Sequence, residues 1–261
     1  RYFSPVRKPK ALMLIGGSVS SYEAGEVWHL LDTRMGMPIT KVPVRLFDRI
    51  NWSKYNTLVM VSSRYSELDS VRRARIQNWI AQGNTLITIR QASSWAIRQQ
   101  LVKEKLVSAK KENTKDQKEQ SPPKRLPYVD APENIGKNAV GGTIFKIDVD
   151  LSHPLAFGYT RREVPVYRNS TVWLAPSQNP YATVGKYTDD PLIDGFITQK
   201  NLNEFLKPSA SLIVSRVGRG RVVMFAENPN FRGTWYGTNR LFMNALYFGN
   251  EINVPNVSEE E

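Results

Sequence analysis

The sequence predicts an α/β fold built on a doubly wound, mostly parallel sheet, and three observations support this. Short continuous apolar runs recur at Ala11-Leu12-Met13-Leu14-Ile15, Thr57-Leu58-Val59-Met60-Val61 and Leu86-Ile87-Thr88-Ile89, the pattern of strands buried on both faces. Each run leads into a polar turn. The segments between them carry helical periodicity, and this β-α-β rhythm implies right-handed crossovers.

The first strand ends in Gly16-Gly17. Ser18 to Ser21 then supply polar caps for a helix, and Glu23 and Glu26 suit the positive end of its dipole. That helix is expected to run to about Met35, where Gly36 stops it. Ile39 to Leu46 reads as a second strand, close to an edge or ending early because Pro43 lacks a ladder donor. Thr57 to Val61 is the third strand. It opens into Ser62-Ser63-Arg64-Tyr65-Ser66 and a helix with Leu68, Val71, Ile76, Trp79 and Ile80 on one face. After Gly83 the fourth strand, within "GNTLITIRQASSW", runs into a helix start where Ser93 and Ser94 are natural N-caps.

The rhythm breaks over residues 103–125. Leu101 to Arg125 holds eight basic and four acidic residues, a mixed-sign composition that reads as a solvated helix extension running into a flexible insertion. Further strands are expected at Thr143–Val149, Val172–Leu174, Ala182–Tyr187 and Ser211–Val217. "SLIVSRVGRGRVVMF" is a hairpin turning at Gly218-Arg219-Gly220. A last helix spans about Thr238 to Phe248, with Phe242, Ala245 and Leu246 inward and Gly249 as its stop. Residues 250–261 read as a frayed tail. All 261 residues fit one domain with extra strands in its C-terminal half.

The chain has no cysteine, which excludes thiol nucleophiles, disulfides and zinc–thiolate or iron–sulfur sites. With two histidines, His29 and His153, and no His-x-x-Glu spacing, no metal site is expected. His153 precedes Pro154 and reads as a turn-stabilising residue. His29, beside Trp28 and Leu30, reads as structural. No apolar run approaches the roughly 18 residues of a membrane span, and no signal peptide is seen. A chain opening on Arg1 reads as processed, or as a piece of a longer one. The net charge of +12 attracts polyanions. It comes without a nucleic-acid-binding motif, so nucleic acid is not expected as a partner.

In an open parallel sheet, ligands bind beyond the carboxyl ends of the strands. Three turns should meet there: Gly16-Gly17-Ser18, Ser62-Ser63-Arg64-Tyr65 and Arg90-Gln91-Ala92-Ser93. The segment from Ala226 to Arg232 follows the last strand and is expected to join them. A strand–turn–helix elbow would place a nucleophile near Arg90 or Gln91, and neither is one. A serine hydrolase would have to use Ser62 or Ser63 with a distant base. The Gly-hinged segment Asn228 to Arg240 is the densest polar–aromatic cluster. It reads equally as a binding surface and as a rigid loop that packs its aromatics and caps the last helix with Thr238. The candidate ligand-binding residues are therefore Ser18, Ser63, Arg64, Arg90, Gln91, Asn228, Arg232, Trp235 and Tyr236.

Several stretches carry a resemblance: "ALMLIGGSVSSYEAGEVWHLLDTRMGMPITKV", "GNTLITI", "SHPLAFGY" and "GRGRVVMFAENPNFRGTWYGTNRLFMNALYFG". Together they resemble the C-terminal region of a group of bacterial zinc carboxypeptidases of the carboxypeptidase A type. The resemblance spans nearly the whole chain outside 103–125, and "FRGTWYGTNRLFMNALYFG" is its most specific part. It implies a class I glutamine-amidotransferase-like, flavodoxin-like three-layer fold placed after a catalytic zinc domain. It also implies a periplasmic or extracellular setting, with the upstream peptidase domain as partner. No cofactor is implied in this chain, since the zinc belongs upstream. An amidotransferase of this fold needs a Cys at the elbow and a His–Glu pair; here the elbow reads Ile89-Arg90-Gln91-Ala92. The implied role is a non-catalytic accessory domain that supports the peptidase or targets it to peptide or cell-wall substrate. The alternatives are a small-molecule or glycan-binding module at the cleft, and a serine-type hydrolase.

Overall fold

A computed structural model describes residues 5–108 and 125–255. Nine strands form one sheet in the order β2-β1-β3-β4-β9-β8-β7-β5-β6. The apolar runs form β1 (Ala11–Ile15), β3 (Thr57–Met60) and β4 (Thr85–Ile89). They lie parallel with β2 (Ile39–Pro43) and β9 (Gly220–Phe225). Leu12, Leu58 and Leu86 sit in line across three neighbouring strands and are fully buried. A row of that kind is the core of a doubly wound sheet, because helices cover both faces. The chain leaves β1 for β2 on one side and returns to β3 on the other. Right-handed crossovers then place α1 (Ser21–Trp28) and α2 (Ser70–Ala81) on opposite faces.

From β9 onward the sheet is antiparallel. It continues through β8 (Ala210–Val217), β7 (Thr183–Gly195), β5 (Thr143–Val149) and β6 (Glu163–Arg168). The hairpin turn forms as the sequence predicts. Gly218 has φ +58, and a Cβ on it would lie 2.8 Å from Ala81. On Gly220 a Cβ would overlap the carbonyl oxygens of Ile80 and Asn84. The end of α2 thus rests on bare backbone. The helices α3 (Gln91–Arg98), α4 (Ala131–Gly136) and α5 (Tyr236–Phe248) complete the elements used below.

Several local expectations are corrected. The second strand stops at Pro43, and Val44–Arg49 continues as a 3-10 turn. The first helix turns π-helical over His29–Arg34 before Gly36 ends it. Leu68 precedes α2, and Val71 is 74% exposed instead of facing the core. Of Val172–Leu174, only Leu174 pairs, bridging Leu106 and Ala210. The expected helix extension at 103 is extended chain: the Val107 N–H donates to Trp173 O and the Ala175 N–H to Lys105 O, both at 2.9 Å. Most of the expected insertion, 109–124, lies outside the described residues. In the expected frayed tail, Ile252 and Val254 are buried and Arg221 Nε donates to Ile252 O at 2.5 Å. Residues 256–261 lie outside the described residues.

Candidate functional site at the carboxyl ends of the parallel strands

The strand order reverses between β1 and β3, and the turns after these strands touch. Gly16 and Gly17 have φ +77 and +59, a turn open to glycine because it lacks a Cβ. The turn brings Ser18 Oγ to 2.7 Å from Ser63 Oγ. Ser63 Oγ also accepts the Tyr65 N–H at 3.1 Å, and Tyr65 OH donates to Val61 O at 2.7 Å. Ser62 Oγ donates to Gln91 Oε1 at 2.5 Å and so ties the β3 turn to the β4 turn.

The β4 turn is an elbow. Arg90 has φ 54 and ψ −116, and α3 starts at the next residue. A non-glycine side chain held in this sparsely populated region marks a site where surrounding structure enforces the backbone. Here the Arg90 N–H donates to Phe225 O at 2.9 Å and its carbonyl accepts from Ser93 N at 2.9 Å. Its guanidinium pairs with Glu23 and donates to Asn169 O at 3.2 Å. Glu23 is 4% exposed, and its other oxygen accepts the Ser62 N–H at 2.8 Å. Sequence reasoning placed Glu23 as a dipole partner of its helix. In the structure its carboxylate is the anchor between α1, the β3 turn and the elbow.

Ser93 does not cap α3. It lies inside the first turn, fully buried, with its hydroxyl 2.9 Å from both Thr88 Oγ1 and Phe225 O. Among the described residues, the partners of Ser62 and Ser63 are Gln91, Glu23, Ser20, Ser18 and Tyr65, with no imidazole among them. His153 Nδ1 accepts the Leu155 N–H at 3.1 Å, as the turn reading expects, and burial pushes the imidazole down to about 4. The elbow therefore presents a guanidinium already engaged by a carboxylate, which offers no nucleophile for acyl transfer.

The fourth segment joins through Glu26, again from α1. One carboxylate oxygen accepts from Asn228 Nδ2, and the other accepts the Arg232 N–H at 2.6 Å. Burial raises the Glu26 carboxyl, and these bonds work against the rise. Arg232 (φ 52, ψ 17) and Gly233 (φ +64) make a left-handed bend. Just before it Phe231 stacks on Tyr167 at 3.6 Å, and after it Trp235 Nε1 donates to Pro165 O at 3.3 Å. Tyr236 is 60% exposed, with the Arg34 guanidinium 4.1 Å above its ring. Thr238, expected as the cap of α5, instead donates to Pro229 O at 2.6 Å, and Trp235 occupies the cap position. The structure thus brings Ser18, Ser63, Arg90, Gln91, Asn228 and Arg232 into one bonded framework. Arg64 stays exposed beside it, while Trp235 sits on its flank at β6 and Tyr236 at the π-helical turn that follows α1.

Directly after β9 lies a group that sequence reasoning missed. Arg168 is fully buried and donates from NH1 to Glu227 Oε1 at 3.0 Å and from Nε to Ser170 O at 3.0 Å. Further bonds run from Arg168 to Tyr187 and Val172, and Ser211 Oγ donates to Glu227 Oε2 at 2.6 Å. Burial pushes the Glu227 carboxyl up to about 7 despite the adjacent guanidinium. A Glu on the first residues after the last strand was the available signal; nothing local marked Arg168.

No protein-family model matches the chain, and no curated protein matches it. Solved structures do resemble it. A ThuA-like protein from Parabacteroides merdae superposes with a TM-score of 0.59 at 13% identity, covering 97% of this chain and 94% of that one. PurLQS from Thermotoga maritima gives 0.55 at 12% identity, covering 93% and 99%. A GMP-synthase-like protein from Thermoplasma acidophilum gives 0.53 at 13% identity, covering 92% and 94%. Likeness at this identity speaks for fold alone, and it agrees with the sheet order: the chain has a flavodoxin-like, class I glutamine-amidotransferase-like α/β fold.

Proposed function

We propose that this chain is a catalytically silent glutamine-amidotransferase-like domain serving a zinc carboxypeptidase domain on the same polypeptide. In this reading it supports that domain, or targets it to peptide or cell-wall substrate, in a periplasmic or extracellular setting. The observation that carries the silent half is Arg90: the elbow backbone is kept, and its side chain is a guanidinium locked to Glu23. The peptidase half rests on the sequence resemblance, above all "FRGTWYGTNRLFMNALYFG". Zinc and its ligands would belong to the partner domain.

Two experiments test the halves separately. Glutamine and ester hydrolysis assays, with fluorophosphonate labelling, should give neither turnover nor labelled Ser62 or Ser63. Turnover lost on Ser63→Ala or Gln91→Ala overturns the silent reading. Determining the gene upstream of the Arg1 codon should reveal a His-x-x-Glu pair and a distant His. A different upstream sequence overturns the peptidase half alone. A second reading, a small-molecule or glycan site on the switch-point rim, is favoured by the exposure of Ser18, Arg64 and Gln91. It requires a sugar or anionic ligand to raise the melting temperature, and Trp235→Ala to remove that rise.

A further inference from the structure

At the other end of the sheet the chain builds a cavity with charged and polar residues in its lining. β7 begins at Thr183, whereas β8 runs on to Val217. The stretch before β7 diverges from β8 and leaves a cavity of about 670 Å³, whose lining includes Lys103, Lys105, Gln178, Ser215 and Arg216. It lies beside the Gly218–Gly220 turn, at the start of β9. Arg90 binds the far end of that strand, five residues on, or about 16 Å away at strand rise. The cavity is therefore separate from the elbow.

Several side-chain donors in its lining have no partner among the described residues. Ser215 is 5% exposed, and its hydroxyl has no hydrogen-bond partner among the described residues. That oxygen is not among the buried polar atoms left without a partner, so it opens onto the cavity, where water or a ligand reaches it. The Lys103 and Lys105 ammonium groups form no ion pair among the described residues. Arg216 uses Nε on Gly218 O at 2.9 Å, which leaves its terminal nitrogens without a partner among the described residues. The one acid in the lining, Glu104, accepts from Ser177 Oγ at 3.1 Å. Three cations face one engaged carboxylate. These cations come from two chain segments more than a hundred residues apart in sequence, held together by the Lys105–Ala175 and Val214–Ala182 backbone bonds.

We infer that this cavity is a binding site for a small molecule bearing an oxoanion, phosphoryl or carboxylate. Lys103, Lys105 and Arg216 supply charge, and Ser215 and Gln178 supply orienting hydrogen bonds. Lysine serves such anions as a point charge and needs no bidentate geometry. The volume suits a sugar-sized or somewhat larger ligand.

The test is calorimetry and thermal unfolding of the whole chain with inorganic phosphate, citrate or sodium chloride at matched ionic strength, which removes generic screening. Phosphate or citrate should bind saturably at one site, and which of them binds identifies the anion as phosphoryl or carboxylate. The Lys103→Met/Lys105→Met variant, altered only at exposed side chains, should keep its unliganded melting temperature and bind at least about tenfold more weakly. Equal effects of chloride at matched ionic strength would overturn the inference. Unchanged affinity in the double variant would do so as well.

Discussion

At the scale of single residues, a buried carboxylate and a half-buried guanidinium define what the site has become. Glu23 was legible only as an acidic residue in a helix's first turn; its role emerges because α1 lies across the elbow. Removing its partner leaves a carboxylate that is 4% exposed without its cation. Arg90→Ala should therefore cost about 3 kcal/mol in urea unfolding. Arg90→Gly should cost less, by about 1 kcal/mol, because glycine tolerates φ 54 without strain. Equal losses would mean that the elbow backbone stores no strain.

Two titrating groups oppose each other. Glu227, pushed up to about 7, binds a proton in the folded chain that the unfolded chain has already lost above the ordinary 4.5. Its contribution falls as pH rises through that window. Glu26, also raised by burial, adds to the fall. His153, pushed down to about 4, has the opposite effect: below 6.5 the unfolded chain takes a proton that the folded one refuses, so stability falls as pH drops. Between pH 4.5 and 6.5 the slopes counteract. Glu227→Gln should expose a rise of the urea midpoint with pH, and His153→Asn, which keeps a capping oxygen, should expose a fall. Midpoints with the same pH slope in both variants would refute these assignments.

At the scale of elements, the clearest successes are those governed by local rules. The buried strands and the Gly218–Gly220 hairpin followed from apolar runs and turn chemistry. Gly220→Ala should destabilise by about 3 kcal/mol in the same assay, because its Cβ would enter the carbonyls of Ile80, at the end of α2, and Asn84. A loss below about 1 kcal/mol would mean that α2 slides freely over the hairpin. The misses have physical reasons too. Val71 lies about 140° around the helix from Ile76 at 100° per residue, so an apolar type at the wrong angle was counted as core. β6 was not read from the sequence, and Pro165 stands within it. It is an edge strand, as is β2 with Pro43, and an edge is where a residue without an N–H is tolerated and discourages further pairing.

At the scale of the whole molecule, the parallel half and the antiparallel half share one sheet, joined where β9 pairs with β4 on one side and β8 on the other. Amide hydrogen exchange should be slowest in β1, β3, β4 and β9, which are buried on both faces. It should be fastest among these strands and β7 at Asp189–Gly195, where β7 is mostly exposed. Uniform protection across the sheet would contradict this gradient.

The sequence by itself determined the fold class, the central strands, the hairpin and the absence of a thiol nucleophile. Each of these is written in residue type or in a period of two to four residues. Only the tertiary structure decided how the site is tied together. Glu23 meets Arg90 across 67 residues, Arg168 meets Glu227 across 59, and Glu26 meets Asn228 across 202. Pairs so far apart leave no periodicity in the chain. They are selected when the crossovers and the order of strands in the sheet bring their backbones together and burial makes an unpaired charge too costly to keep.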